Sequence, residues 1–263
     1  MDDRESQKQS QEIAEWIQIR KEKGDGFMRG TTVEADLAPY RNTVIIDVGC
    51  GPRPFVEHFP ARLGVMFDCC MGGYRKENLL QEETLNKVLC AEGMGEAMPF
   101  KDQSTDHIFA INMLDHTHSP EKVVEEFHRV LKPGGMVHLN VDIGGSPNVC
   151  EPVVFARGDI EQLFSRFHLV YEEEKPASNP EREAMLMRIF ARSEGYDHTN
   201  PPPKPDDTPL PERTGTAVED PAFLEILACP ACRGDLSTSD AGFLCTACAA
   251  QYAVEQGIPL LTY

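Results

Sequence analysis

Val44-Ile45-Ile46-Asp47-Val48-Gly49-Cys50-Gly51 reads as a buried strand running straight into a glycine turn. A short apolar run, rich in β-branched residues and closed by glycine, is the pattern of a strand covered on both faces. Gly49 and Gly51 let the backbone turn tightly and let a ligand approach it closely. In open α/β sheets ligands sit at the carboxyl ends of the strands, where this turn falls. Asp47, just before the turn, is placed either to fix the loop or to reach a cationic amino group. Gly51 is followed by Pro52-Arg53-Pro54, so the G-x-G-x-x-G fingerprint is not met, which argues against NAD and FAD.

Outward from this strand the chain alternates between periods of two and 3.6. Glu12–Lys21 predicts a helix with Ile13, Trp16, Ile17 and Ile19 among its apolar positions. Leu63–Asp68, Lys87–Cys90 and Asp106–Ile111 read as the second, third and fourth strands. Pro120–Leu131 is amphipathic, with Val123, Val124, Phe127, Val130 and Leu131 at helical spacing. Pro133-Gly134-Gly135 predicts a sharp turn before a fifth strand, Met136–Val141. A helix over Asp159–Phe167 and strands over His168–Glu173 and Glu183–Ala191 complete the series. Such alternation predicts an α/β domain over residues 1–193, with a largely parallel sheet covered on both faces. Residues 1–40 form its N-terminal cap or substrate segment. Pro201, Pro202, Pro203, Pro205, Pro209 and Pro211 exclude regular helix or strand from residues 194–220, which read as an extended, semi-rigid linker. Residues 221–263 read as a small cysteine-bearing unit.

The formal net charge of -18 over 263 residues argues against a nucleic-acid partner, because phosphate is repelled unless a local basic patch intervenes. The densest basic run is Arg20, Lys21 and Lys23 with Arg29 nearby, and it reads as a solvated helix face. No apolar run approaches the ~20 residues that cross a bilayer, and the polar N-terminus lacks the apolar core of a secretory signal. These features predict a cytoplasmic protein with no membrane partner.

Four of the nine cysteines form the pattern C-x2-C-x12-C-x2-C: Cys229, Cys232, Cys245 and Cys248. Paired knuckles with four thiolates make a closed tetrahedral zinc site, and a closed site is structural because no position is left for water. A unit this short needs such a staple. Cys50, Cys69, Cys70, Cys90 and Cys150 are dispersed and read as free thiols rather than a disulfide framework.

Residues 45–55, IIDVGCGPRPF, together with residues 95–141, GEAMPFKDQSTDHIFAINMLDHTHSPEKVVEEFHRVLKPGGMVHLNV, resemble class I S-adenosylmethionine-dependent methyltransferases. The second stretch is similar to that family over Glu96-Ala97-Met98-Pro99-Phe100 through Arg129-Val130-Leu131-Lys132-Pro133-Gly134-Gly135. The resemblance implies a Rossmann-like, seven-stranded sheet with helices on both faces. It implies that Asp47, Gly49, Cys50 and Gly51 line the methionine end of S-adenosylmethionine. An acid ending the second strand should hold the ribose hydroxyls, and Asp68 is that acid, although Gly64 is followed by Val65 and Met66 where the family has the acid. The family's adenine acid is replaced by Met94, which with the Gly95 backbone would contact the base; Glu92 is the nearby substitute. Asn112 and Met113 would cover the cofactor. His116 matches the family's histidine after the fourth strand and is the candidate base, with His118 nearby; Asp115 is the second catalytic candidate or a cap for the following loop. The Asn/Asp-Pro-Pro-Tyr tetrapeptide of amide-type nitrogen methylation is replaced by Asn112-Met113-Leu114-Asp115, which disfavours adenine and glutamine acceptors.

Phe223-Leu224-Glu225-Ile226-Leu227-Ala228-Cys229-Pro230-Ala231-Cys232-Arg233-Gly234-Asp235-Leu236, with Gly257-Ile258-Pro259-Leu260-Leu261, resembles the small activator subunit of tRNA, rRNA and release-factor methyltransferases. In that family the activator is a separate chain that covers an apolar surface and an exposed strand of its partner. The resemblance implies a zinc ribbon docking in cis on the methyltransferase domain through Ile226, Leu227, Ile258 and Leu260. Arg233 is its only Lys or Arg, a poor phosphate surface. The leading expectation is methyl transfer to a small-molecule acceptor. An RNA- or protein-modifying enzyme is the second, which a basic patch of Arg20, Lys21, Lys23, Arg29 and Arg41 would favour. A non-catalytic scaffold that kept the fold is the third. Trp16 to Arg29 and Asp142 to Arg157 are the expected acceptor segments, with Phe27, Met28, Phe155 and Arg157 as possible lining.

Overall fold

The computed structural model describes residues 3–24, 27, 37–177, 181–197, 219–239 and 241–262. Arg29, Met28 and the prolines of the expected linker lie outside the described residues.

Helix α1 (Asp3–Lys23) opens the chain. Strand β1 (Val44–Val48) follows, then β2 (Leu63–Asp68), the short helices α2 (Met71–Lys76) and α3 (Glu82–Leu85), and β3 (Leu89–Glu92). Strand β4 (Thr105–Ile111) leads through a 3-10 turn to α4 (Pro120–Val130), β5 (Leu131–Ile143), α5 (Arg157–Leu163), β6 (Phe167–Lys175) and β7 (Ala184–Arg192). These seven strands form one sheet in the order β3-β2-β1-β4-β5-β7-β6. β1 is parallel to β2 and β4, β2 to β3 and β4 to β5, whereas β7 runs antiparallel to β5 and β6. The strand order reverses between β1 and β4, and a crevice opens there at the carboxyl ends.

β1 is buried throughout because its side chains alternate between two cores. Val44, Ile46 and Val48 join Phe67, Phe100, Phe127 and Val137 on one face. Ile45 joins Met66, Cys90 and Phe109 on the other, with Ile13, Trp16 and Ile17 of α1 packed against them. Met66 is fully buried on that second face. On α4 the stripe Val123, Val124, Phe127 and Val130 is buried, at the 3.6-residue spacing of its sequence.

Several boundaries differ from expectation, among them β3, which runs Leu89–Glu92 rather than Lys87–Cys90. Pro133-Gly134-Gly135 does not separate the helix from β5 as a free turn. Strand geometry begins at Leu131, and the ladder slips between Thr105 and His107, so Lys132–Gly135 is absorbed as a bulge. The α5 helix ends at Leu163, because Phe164 leaves helical geometry and stacks on Phe190, with ring centroids 4.2 Å apart. α1 begins nine residues before Glu12. Its extra turns bury Glu5 and Lys8, polar side chains that a search for apolar periodicity passes over.

After residue 218, α6 (Pro221–Ile226) is capped by Asp220, whose carboxylate accepts from Ala222 N–H and Phe223 N–H. Strands β8 (Leu236–Ser239), β9 (Gly242–Cys245), β10 (Gln251–Glu255) and β11 (Ile258–Pro259) make a second sheet. This module lies against the β3 edge. Leu261 N–H donates to Glu92 O at 2.8 Å, Lys101 N–H to Ile226 O at 2.7 Å and Ala228 N–H to Pro99 O at 2.9 Å. Phe223, Ile226 and Leu227 share the apolar core of the larger sheet, and Ile258 and Leu260 join the core on its other face. An otherwise open sheet edge is thereby covered.

Candidate functional site

The β1 turn sets the geometry of the crevice. Gly49 and Gly51 have φ of +62° and +59°, the left-handed region that favours glycine. A Cβ on Gly49 would stand 2.4 Å from Met113 Cβ, so only hydrogen fits. Asp47 braces the turn from below: Phe55 N–H and Val56 N–H donate to its Oδ2 at 2.5 and 3.0 Å. Of the two roles open to Asp47, loop fixing is the one these bonds perform. Burial pushes its carboxyl up to about 7, against the two amide bonds. Asp68, at the end of β2, accepts from Gly51 N–H at 2.9 Å and Cys70 N–H at 2.8 Å. It ties the first strand-end turn to the second, and burial raises its pKa.

The turn after β3 adds Gly93, Met94 and Gly95 to the wall. Glu92 turns away, its carboxylate accepting from Gly72 N–H at 2.7 Å, so it does not stand in for the missing adenine acid. Glu96 accepts from His118 N–H and Ser119 N–H, the two amides that lead into α4. After β4, Asn112 holds φ +53°, an uncommon conformation for a residue with a side chain, and its N–H donates to Asn140 O.

Helix α1 closes the crevice from above with Lys8, Gln9, Glu12 and Trp16. The Trp16 ring lies over Gly51, where a Cβ would come within 3.0 Å of it. Burial pushes the Glu12 carboxyl up to about 7, aided by the Asp68 charge. The result is a cavity of about 530 Å³.

Asp47, Gly49, Cys50, Gly51, Asp68, Met94, Gly95, Asn112 and Met113 all line this one cavity, and His116 joins them. Burial holds the His116 imidazole down to about 4, so it is neutral at pH 7. Its Nδ1 lies 3.8 Å from Glu12 and its Nε2 3.9 Å from Glu151. Asp115 departs from expectation: it is only 1 % exposed and sits behind the cavity wall. It neither meets the cavity nor caps a loop through its side chain, because neither carboxylate oxygen has a hydrogen-bond partner. The suggested acceptor residues also lie elsewhere. Phe27 packs beneath Arg53, Phe155 is buried beside Ile143, and Arg157 pairs with Glu174 at the surface. The N-terminal segment does face the cavity, through Lys8, Gln9, Glu12 and Trp16; among the described residues of the segment, none beyond Trp16 lines it.

In the small module, Cys229, Cys232, Cys245 and Cys248 bring their sulfurs within 4.8 Å of one another. Cys229 and Cys248 are 3.7 Å apart and Cys232 and Cys245 3.4 Å. Four thiolates around one zinc at ~2.3 Å stand about 3.8 Å apart, so the set fits the ion. Gly234 lies against the cluster, where a Cβ would meet Cys245 and Cys232 sulfurs at 3.2 and 3.3 Å. Arg233 reaches out of the knuckle to Met98 O and the Glu126 carboxylate, and Lys101 pairs with Asp235.

The family described as Methyltransferase domain matches residues 46–139, and the family described as Trm112p-like protein matches residues 220–257. An uncharacterized methyltransferase of Schizosaccharomyces pombe is 33% identical over 104 residues, 35% of this chain and 37% of that protein. The sarcosine/dimethylglycine N-methyltransferase of Aphanothece halophytica is 30% identical over 98 residues, 35% of each chain. The chain thus covers little more than a third of either relative. Among solved structures, the 1,6-didemethyltoxoflavin-N1-methyltransferase of Burkholderia thailandensis superposes with a TM-score of 0.50 at 14% identity. That match covers 69% of this chain and 87% of that one. The fold is a methyltransferase fold carrying a Trm112p-like module.

Proposed function

We propose that this methyltransferase-fold chain, with a Trm112p-like module joined in cis, is an S-adenosylmethionine-dependent methyltransferase acting on a small-molecule acceptor. The observation that carries it is the convergence of the strand-end residues from Asp47 to Met113 on one cavity at the topological switch. The bound cofactor supplies an electrophilic methyl group. The protein's own part is alignment: holding a nucleophile in line at near-attack distance accounts for much of the rate in such displacements. The β1 turn and Asp68 would seat the amino acid and ribose parts, and Met94 and Gly95 the base. α1 excludes water from above. An acceptor that must lose a proton would meet His116, which stays neutral and able to accept one at pH 7.

The small-molecule preference is supported by the roofed cavity and the -18 charge. The Trm112p-like match favours an RNA- or protein-modifying enzyme as second reading. Among the described basic residues, Arg20 is already engaged with Asn78 O and Lys23 sits over the Phe27 ring.

Titration calorimetry of the zinc-loaded chain with S-adenosylmethionine and S-adenosylhomocysteine tests the reading. Saturable binding is expected, weakened at least about tenfold in Gly49→Ala, where the new methyl meets Met113. Absence of binding by the folded, zinc-loaded protein would sink the enzyme and leave a scaffold. Radiolabelled methyl transfer to bulk RNA in preference to a small-molecule extract would overturn the acceptor class.

A further inference from the structure

Behind the His116 end of the cavity, several side-chain acceptors are buried with nothing to bind. Both Asp115 carboxylate oxygens, His116 Nε2, Asn140 Oδ1 and Asp142 Oδ1 lack a hydrogen-bond partner. Asp115 is 1 % exposed and Asp142 6 %. Buried acceptors are ordinarily paired, and buried carboxylates need a donor, a cation or a proton.

The side chains already there do not meet that need. Arg182 donates to Gly144 O and to the Glu151 carboxylate. Lys8 donates to His116 O. Glu12, Asp115, Asp142 and Glu151 set four carboxyl groups around these two cations, and a divalent ion would take the place of the protons that burial otherwise keeps on them. The geometry matches: one oxygen each from Asp115 and Glu151 and a ring nitrogen of His116 lie within 4.8 Å of one another. Three ligands of one ion, at ~2.1 Å from it, stand about 3.0–3.6 Å apart, so the three atoms draw together by up to about an ångström to complete the set.

We propose that Asp115, His116 and Glu151 bind a divalent transition-metal ion at the inner end of the cavity, separate from the four-cysteine site. Nitrogen and carboxylate ligands suit Mn²⁺, Fe²⁺ or Zn²⁺, whereas the thiolate cluster selects zinc, so Mn²⁺ distinguishes the new site from the cluster. Three protein ligands leave coordination positions open, and His116 places them beside the cavity. On the methyltransferase reading, those positions suit an acceptor that presents an oxygen or nitrogen donor. His116 is then a ligand through Nε2, and Glu12, 3.8 Å from its Nδ1, is a proton acceptor on the wall.

Mn²⁺ titration of the zinc-loaded full chain, with free ion read by electron paramagnetic resonance, tests the site. One saturable Mn²⁺ per chain is expected. Asp115→Asn and Glu151→Gln should each weaken it at least tenfold, and the exposed control Glu121→Gln should leave it unchanged. Mn²⁺ should also raise the melting temperature of the parent chain, a readout that does not depend on either variant folding. No saturable site in the parent, or equal binding in both site variants, overturns the proposal. S-adenosylhomocysteine calorimetry on the same samples separates the two ideas. Cofactor binding without Mn²⁺ binding removes the metal site alone, and Mn²⁺ binding without cofactor binding removes the methyltransferase reading alone.

Discussion

Asp47 links sequence, stability and site through one carboxylate. Its two amide bonds hold the β1 turn open, yet burial pushes its pKa from 3.8 to about 7. The folded chain therefore binds more protons than the unfolded chain between those values, and stability falls as pH rises through that window. Asp47 contributes at most one proton's worth of slope, about 1.4 kcal/mol per pH unit, and Glu12, raised to about 7, adds to it. Melting of the cofactor-free protein between pH 4 and 7 should show this decline, and Asp47→Asn should make it shallower by about one proton's worth; an unchanged slope would assign the titration elsewhere. Asp47 and Gly49 were legible from sequence because a strand-end glycine turn has only a few geometric solutions. Lys8 and Glu12 were not, since a lone charged residue on a helix carries no signature of the cavity it will face. Asp115 misled for a related reason: its place after β4 follows from sequence, but whether it points at the cavity or behind it depends on the packing of the following 3-10 turn.

At the scale of elements, the decisive contact joins β3 to the cysteine module. β3 is the sheet's edge, and its following turn, Gly93 to Gly95, forms cavity wall. Leu261 binds Glu92 O and stands 3.1 Å from where a Gly93 Cβ would lie, so the module buttresses that wall from behind. The strand, its turn and the four-cysteine spacing were each readable in the sequence, and so was the apolar set Ile226, Leu227, Ile258 and Leu260. The polar half of the contact was not. Arg233, the module's only Lys or Arg, donates to Met98 O and shares Glu126 with Arg129. Leu227→Asp would bury an unpaired charge at a position 1 % exposed. It should cost at least about 3 kcal/mol. Arg233→Ala, half exposed, should cost about 1 kcal/mol. Chemical denaturation of zinc-loaded protein measures both, and equal costs would show that the apolar seam does not dominate. Zinc removal should act like the larger change and weaken S-adenosylhomocysteine binding, although none of the four cluster cysteines lines the cavity.

For the whole molecule, the question is what the link between the two units contributes. The module shares the apolar core of the larger sheet, bridges Phe100 through Leu227 and runs Leu260 beside Glu92. Those contacts do not depend on the proline-rich residues between 197 and 219. A tether adds effective concentration, in the millimolar range for a linker that spans its gap, without adding contacts. Its effect should therefore be large when docking is weak and small when docking is strong. A protease site placed between Pro205 and Pro209 separates these cases. If the seam suffices, the cut zinc-loaded halves co-elute and bind S-adenosylhomocysteine as the intact chain does. A chelator should then part the cut halves, because the knuckle that carries Arg233 and Leu227 loses its staple. It should leave the two units of the intact chain able to redock when zinc is restored. Separation of the cut halves in the presence of zinc would mean that the module is held by its tether, and that the wall at Gly93 is supported only while the chain is whole.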